Sequence, residues 1–211
     1  MKKILRIKVC GLTTPGNRAE IEKLPVDFLG FIFYPQSKRF AGDNTDPGLF
    51  DTSKNKVAVF VNESIYEIMG LTKNLGFKYV QLHGKETPAT CNILKKQGIK
   101  VIKAFNVDES FKFETLESYN NCVNFFLFDT KSNLPGGSGK KFNWHILEKY
   151  TGEIPFFLSG GIQPEDAEAI CLLDHERLYG VDINSGFEDE PGIKNISKVK
   201  TFTDHIQKGL D

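Results

Sequence analysis

Short runs of apolar, β-branched and aromatic residues recur along the chain and predict eight strands. Most of these runs are apolar at consecutive positions, which is typical of parallel strands that are covered on both faces. The predicted strands are residues 4–9, 28–33, 57–61, 79–82, 101–104, 125–128, 156–158 and 178–183.

The segments between these runs carry helix signals. A proline fits the first helical position and a preceding threonine can cap the helix, and prolines of this kind follow Thr14, Thr87 and Gln163. Apolar residues recur at helical spacing in residues 65–72 and 196–206. In Gly42 to Lys54, proline and glycine lie inside the expected second helix, so we expect a short or irregular helix there.

This alternation of strands and helices predicts an α/β fold, a (β/α)8 TIM barrel that forms one compact domain over residues 1–211. A doubly wound sheet more often has fewer strands and a single glycine-rich crossover. No linker or low-complexity tract divides the chain.

Composition excludes several classes of protein. Lysine plus arginine and aspartate plus glutamate number 27 each, so no global basic field is present to hold nucleic acid. No run reaches the roughly 18 apolar residues of a membrane helix, and Arg6 and Lys8 interrupt the first apolar run, which favours a strand over a signal peptide. The four cysteines lack CxxC spacing, so we expect reduced thiols and a cytoplasmic location.

Candidate functional residues follow the predicted strands. Active sites of (β/α)8 barrels are built where the strands end, at their carboxyl edge. The residues with suitable chemistry there are Cys10, Arg39, His83, Asp129, Ser159, Gly160, Gly161, Asp182, Ser185 and Gly186.

The loops after strands seven and eight predict a phosphate site. In "LSGGI" and "DINSG", serine and glycine come directly after a strand, where backbone N–H groups can face an anion. For either loop alone, a simple tight turn is an equal alternative. A further stretch, "LPGGSGKK" at residues 134–141, lacks the P-loop pattern and is interpreted as a flexible loop over the mouth or a plain connector.

Three polar side chains each have two interpretations. The guanidinium of Arg39 suits a carboxylate, although a solvated charge is the commoner role of a single arginine. Burial of Asp129 against an apolar strand would favour its protonated form, as a general acid requires, but a helix cap or a structural salt bridge is the alternative. His83 could hydrogen-bond a substrate or simply satisfy the core.

Cys10 lies at the exit of the first strand, and Gly11 behind it lets the backbone turn so that the sulfur can face the mouth. A thiolate there could take a proton from carbon, whereas most buried thiols are inert, as we expect for the other three cysteines. A cysteine pKa near 8.5 leaves roughly 3% thiolate at pH 7, so positive potential from Lys8 or from the phosphate loops would help.

Eight motifs occur in order over nearly the whole chain: "KVCGLT", "GFIFYPQSKRF", "VAVFVNE", "VQLHG", "FLFDT", "GGSGKKFNW", "LSGGI" and "GVDINSG". As an ordered set they resemble the phosphoribosylanthranilate isomerase family of tryptophan biosynthesis. The resemblance implies an Amadori rearrangement of N-(5-phosphoribosyl)anthranilate in a barrel without metal or organic cofactor. The expected partner is this small molecule, with no nucleic acid or membrane, and the enzyme would be a monomer or homodimer.

By similarity, Cys10 is the general base and Asp129 the general acid. Arg39 would hold the anthranilate carboxylate, and Gln81, His83 and Asp182 would also contact the substrate. The phosphate would be held by Ser159, Gly160, Gly161, Ser185 and Gly186.

The chain departs from the family pattern at Asn184, Gln163 and Pro47-Gly48. Backbone donors survive the first two changes. The histidine-pathway isomerase and indoleglycerol phosphate synthase are alternatives that share the phosphate site, but they are expected to use other residue sets. A non-catalytic sensor of a phosphorylated ligand is a third alternative, and the presence of both Cys10 and Asp129 disfavours it.

Overall fold

The eight strands close into a parallel barrel in sequence order. The structure is a computed structural model that describes residues 5–129 and 144–209. Each strand pairs with the next, and the eighth pairs in parallel with the first. The strands are β1 Arg6–Cys10, β2 Phe28–Ile32, β3 Asn55–Phe60, β4 Tyr79–Leu82, β5 Lys100–Asn106, β6 Phe125–Asp129, β7 Phe156–Ser159 and β8 Leu178–Ile183. The predicted (β/α)8 barrel is confirmed.

Helical segments connect the strands, and a short hairpin follows β8. The α-helices are α1 Pro15–Glu22, α2 Ile65–Leu75, α3 Pro88–Lys96, α4 Ala167–Cys171 and α5 Ile196–Gly209. The 3-10 helices are Pro47–Phe50, Phe113–Tyr119, Trp144–Lys149, Pro164–Asp166 and Ser185–Phe187, and the antiparallel hairpin consists of β9 Glu188–Glu190 and β10 Ile193–Lys194. In the described ranges, no helix is long and apolar enough to cross a membrane.

The helix starts form as their caps predict. The hydroxyls of Thr14 and Thr87 accept hydrogen bonds from the N–H groups of Asn17 and Thr90. The expected irregularity of the second helical segment is also confirmed, because only the four-residue 3-10 helix Pro47–Phe50 forms there.

The core has two layers, one inside the barrel and one between the barrel and its helices. Inside, Phe28 packs edge-on against Tyr79 and Phe157, with ring centroids 5.3 and 5.5 Å apart. Outside, residues of alternate parity on the same strands, such as Leu29 and Phe156, pack beneath the helices. Both faces of each strand are therefore covered, which explains the uninterrupted apolar runs.

Glu22 ties the end of α1 to the loop before β3. Its Oε1 accepts hydrogen bonds of 2.8 Å from both the N–H and the hydroxyl of Ser53, and its Oε2 accepts from Arg18. Burial opposes ionisation, but these donors outweigh burial and lower the pKa of Glu22 to about 2. The ionised carboxylate is therefore the form that the folded chain stabilises.

We expect Glu22→Gln to lower the free energy of unfolding by about 1 to 2 kcal/mol at pH 7, a range reduced for the partial exposure of the side chain. The folded-state pKa lies below the ordinary value, so the difference between the proteins is present above pH 4.5 and shrinks as the pH falls toward 2. Urea unfolding at several pH values measures it. Glu20→Gln, on the exposed side of α1, is the matched control and should change stability by less than about 0.5 kcal/mol. A loss at Glu22 that is independent of pH would contradict a charge effect.

Candidate active site

A cavity of about 360 Å³ opens at the carboxyl edge of the strands. It brings together every predicted site residue except Gly186, and these lining residues are Cys10, Arg39, Gln81, His83, Asp129, Ser159, Gly160, Gly161, Asp182 and Ser185. Tyr34, Ser37 and Asn184 also line it and were not predicted as site residues. They lie in the loops that follow β2 and β8, so the rule of strand ends could have found them.

Cys10 is 3% exposed and lines this cavity from the end of β1. The next residue, Gly11, has φ +81°, so the chain turns directly after the thiol, as predicted. Across the sheet, Cys10 is paired with Gly30 of β2, and a Cβ at Gly30 would lie 2.7 Å from the sulfur. Only glycine leaves room there for the sulfur to point into the barrel.

Lys8 lies two residues before Cys10 on β1 and faces the same barrel interior. Its side chain is fully buried, and its Nζ donates a 2.8 Å hydrogen bond to Oδ1 of Asp182. A Cβ at Gly30 would lie 3.1 Å from this Nζ as well, so the ammonium group and the sulfur border the same gap. Because Lys8 and Cys10 are two residues apart in a strand, they share a face.

The electrostatics of Cys10 result from opposing effects. Burial raises the pKa of the thiol, Lys8 lowers it by charge and hydrogen bonding, and Asp182 raises it. The net pKa of Cys10 lies above its ordinary value, so Lys8 supplies the expected positive charge but does not overcome burial. The ammonium of Lys8 is itself preserved: burial lowers the pKa of Lys8, but Asp182 and Cys10 raise it to a net value above the usual range.

Asp129 meets His83 at the opposite wall of the cavity. Oδ2 of Asp129 lies 3.3 Å from Nε2 of His83, and Nδ1 of the same ring lies 3.1 Å from the amide nitrogen of Gln81. Since an amide nitrogen can only donate, Nδ1 accepts, and a neutral His83 carries its proton on Nε2. The imidazole therefore donates toward the carboxyl of Asp129 and fixes its position.

The loop that carries His83 is braced from behind by Lys103. Its buried Nζ donates to the carbonyl oxygens of Leu82 and Gly84 at 3.1 and 2.8 Å and to Oε2 of Glu86 at 3.1 Å. Glu86 in turn accepts from the N–H of Gly84. The backbone on both sides of His83 is thus tied to β5.

Arg39 faces the cavity but is also engaged in an ion pair. Its Nε donates to both carboxylate oxygens of Glu188, at 2.8 and 3.0 Å, and its Nη2 donates to Oε2 at 2.6 Å. The alternative of a freely solvated charge therefore does not apply to Arg39, and its proposed carboxylate ligand stays a prediction.

The two loops predicted to hold phosphate lie side by side. Gly160 and Gly161 have φ values of +99° and +65°, a conformation that favours glycine. A Cβ at Gly186 would lie 2.3 Å from the carbonyl oxygen of Ile162, so Gly186 allows the loops to approach each other although it does not line the cavity. The predicted loop over the mouth, residues 134–141, lies outside the described residues.

With its cavity at the carboxyl edge of the strands, this protein falls in the class of (β/α)8 barrel enzymes. The family model described as N-(5'phosphoribosyl)anthranilate (PRA) isomerase matches residues 7–205. The chain therefore belongs to the phosphoribosylanthranilate isomerase family, as its motifs indicated.

Named relatives and solved structures agree with this assignment. An N-(5'-phosphoribosyl)anthranilate isomerase of Parabacteroides distasonis is 47% identical over 95% of this chain and 92% of its own. That of Phocaeicola vulgatus is 40% identical over 97% of this chain and 98% of its own. The crystal structure of the Thermotoga maritima isomerase superposes with a TM-score of 0.83 at 31% identity, covering 97% of this chain and all of that one.

We expect Lys8→Met to slow alkylation of Cys10 by iodoacetamide at pH 8 by about tenfold or more, because loss of the ammonium group raises the thiol pKa further. Peptide mapping identifies Cys10 among the four cysteines. Lys56→Met, which removes a lysine that donates to the carbonyl of Phe50, should leave the rate unchanged. An unchanged rate in a folded Lys8→Met variant would show that Lys8 does not influence the thiol.

Proposed function

We propose that this protein converts N-(5'-phosphoribosyl)anthranilate into 1-(o-carboxyphenylamino)-1-deoxyribulose 5-phosphate, an Amadori rearrangement, with Cys10 as general base and Asp129 as general acid. The observation that carries the proposal is that the thiol of β1 and the carboxyl of β6 line one cavity from across the barrel. A solved relative, with a TM-score of 0.81 and 29% identity over 97% of this chain and all of that one, is a complex with the reduced form of this product.

The reaction needs one acid and one base. Asp129 donates a proton to the ring oxygen of the ribose, the bond between C1 and that oxygen breaks, and an iminium ion forms at C1. The cation acidifies the hydrogen on C2, and the thiolate of Cys10 removes it to give an enolamine. The enolamine then tautomerises to the ketone. Each such proton-transfer group contributes about 10² to 10⁴ in rate.

The remaining polar groups of the cavity would bind the substrate. Glu188 occupies the Nε side of the Arg39 guanidinium, and the Nη1 side remains for the anthranilate carboxylate. Gln81 is buried, and its Oε1 accepts no hydrogen bond from the described residues, so it suits a sugar hydroxyl. His83 and Asp182 line the same cavity and are proposed to contact the sugar as well.

The phosphate would lie between the loops after β7 and β8, on the N–H groups and hydroxyls of Ser159, Gly160, Gly161, Ser185 and Gly186. The left-handed conformations of Gly160 and Gly161 support this placement, because they turn the backbone of the β7 loop at the cavity wall. The carboxylate and the phosphate would then bind to different walls, which orients the sugar between thiol and carboxyl.

The proposal also covers the cofactor requirement, the cellular location and the oligomeric state of the enzyme. The rearrangement moves protons within one molecule, so the two groups suffice without metal or organic cofactor. We place the enzyme in the cytoplasm, as one catalytic domain over residues 1–211 and as a monomer or homodimer. A Thermotoga maritima relative, with a TM-score of 0.80 and 28% identity over 97% of this chain and 99% of its own, is a structure of monomers generated from a dimeric phosphoribosylanthranilate isomerase.

The decisive experiment supplies phosphoribosylanthranilate to the pure protein and follows its fluorescence as it is consumed. We expect turnover by the unaltered protein and a loss of kcat/KM of about 10² to 10⁴ in both Cys10→Ala and Asp129→Asn. Cys171→Ala and Asp108→Asn, which lie outside the cavity, should retain activity. Full activity in either active-site variant would overturn the role assigned to that residue.

The same preparation separates the alternatives. Turnover of the substrates of the histidine-pathway isomerase or of indoleglycerol phosphate synthase, without turnover of phosphoribosylanthranilate, would replace the proposed activity. Micromolar binding of the reduced product without any turnover would favour a sensor.

A further inference from the structure

The guanidinium of Arg39 is held along one edge only. Glu188 accepts from Nε and Nη2, so its carboxylate lies against the side edge of the planar group. The end edge, formed by Nη1 and the second hydrogen of Nη2, makes no hydrogen bond to the described residues. A guanidinium has room for two carboxylates at once when each takes a different edge.

Glu188 is itself fixed by a buried lysine. Nζ of Lys194 donates to Oε1 of Glu188 at 2.6 Å, and the N–H of Gly192 donates to the same oxygen at 3.1 Å. The side chains of Lys194 and Glu188 are 0% and 5% exposed. Lys194 Nζ also donates to Oδ1 of Asn184 at 2.7 Å. The carboxylate therefore has little freedom to leave Arg39.

The hairpin that carries these residues is tied to the first βα unit. The side chain of Asn17 in α1 accepts from the N–H of Lys194 and donates to its carbonyl oxygen, both at 2.8 Å. A Cβ at Gly11 would lie 2.7 Å from Cδ of Arg39 and 2.9 Å from Oδ1 of Asn184. The stem of Arg39 therefore passes directly over the residue that follows Cys10.

The charges of the cluster leave one positive charge for a ligand. Arg39 and Lys194 are opposed by the single carboxylate of Glu188, so a second carboxylate would balance the three. Hydrogen bonding to Glu188 raises the pKa of Arg39, although burial lowers it. Burial raises the pKa of Glu188, but hydrogen bonds from Arg39 and Lys194 bring it below its usual range. Contact with Glu188 favours the charged forms of Arg39 and Lys194, but for Lys194 burial outweighs this contact and the net pKa lies below its usual value.

We propose that Glu188, held by Lys194, positions Arg39 so that its end edge receives the ring carboxylate of the substrate. Glu188 is a positioning residue that acts through Arg39 and does not touch the reacting atoms. This inference rests on the proposed function, because it requires that the ligand carry a carboxylate next to its aromatic ring.

The opposite possibility is that Glu188 competes with the ligand for Arg39. Its position on the side edge argues against competition, since the end edge faces no other acceptor. Displacement of Glu188 would also leave the buried ammonium of Lys194 without its carboxylate, which is strongly unfavourable. The two possibilities predict opposite effects of removing the charge of Glu188.

The test compares two ligands by isothermal titration calorimetry. One is the reduced product, 1-(o-carboxyphenylamino)-1-deoxyribulose 5-phosphate after reduction, and the other is the same compound without its carboxyl group. We expect Glu188→Gln to weaken the carboxylated ligand by about tenfold, the loss of one charge-assisted contact, and to leave the other ligand within about twofold. In turnover, KM should rise while kcat stays within about threefold.

Controls separate positioning from folding. Glu190→Gln makes the same change at an exposed position of the same hairpin and should bind both ligands as the unaltered protein does. Arg39→Met should abolish discrimination between the ligands. Glu188→Asp keeps the charge but moves it away from Arg39, so this variant should also lose affinity for the carboxylated ligand. It replaces Glu188→Gln in the test if Glu188→Gln does not fold.

Each other outcome overturns the inference in a recognisable way. Tighter binding of the carboxylated ligand by Glu188→Gln would mean competition, and equal weakening of both ligands would mean a purely structural role. Unchanged binding by Glu188→Gln would mean that Arg39 keeps its position without Glu188. The inference would then fail, while the proposed function would stand. If the unaltered protein does not distinguish the two ligands, the carboxylate role of Arg39 fails together with this inference, and the turnover assay decides separately whether the isomerase activity stands.

Discussion

A buried lysine needs an anion close to its ammonium group, and inside this barrel Lys8 is paired with the carboxylate of Asp182. Their 2.8 Å contact joins β1 to β8, the two strands at which the barrel closes. An unpaired ammonium in this position would be strongly destabilising, so the pair constrains both strands and also places a positive charge beside Cys10. The arrangement of the thiol depends on this constraint and on Gly30, which keeps the gap open for both side chains.

Another buried lysine, Lys194 in strand β10, lies outside the barrel and is paired in the same way. Lys194 is as buried as Lys8 and is likewise satisfied by a carboxylate, that of Glu188. In both cases the carboxylate or lysine also contacts a residue that lines the cavity. The protein has no net charge as a whole, yet the cluster of Arg39, Lys194 and Glu188 leaves one positive charge beside the cavity. This suits the proposed ligand, which carries both a phosphate and a carboxylate.

The sequence predicted the strands because their environment is uniform. Every barrel strand is covered on both faces, so the apolar runs match the eight barrel strands to within two residues. The cavity residues could be predicted for a similar reason, since the rule of strand ends depends on topology alone. Lys8 could have been placed beside Cys10 from the period of two along a strand, and the structure adds that Asp182 is its partner.

Glu188 and Lys194 could not be found in this way. Glu188 contacts Arg39 across 149 positions of the chain, and in the sequence it is one acidic residue within "FEDE". Neither spacing nor composition distinguishes it from Asp189 or Glu190, which are exposed. The role of Gly186 is equally hidden, because its close approach to Ile162 depends on how two loops pack.

The raised pKa of Cys10 bears on the order of steps in the proposed reaction. In the resting protein the sulfur holds its proton, since burial outweighs the effect of Lys8. The C2 hydrogen is weakly acidic until a cation forms at C1, so the carboxyl of Asp129 has to act first. The iminium ion then lies close to the sulfur in a space with little water, where an opposite charge stabilises a thiolate far more than it would in solution. On this view only molecules in which Cys10 has lost its proton to solvent can take the C2 hydrogen, and Lys8 increases their fraction by lowering the pKa of the thiol. The iminium cation acts in the same direction once it forms.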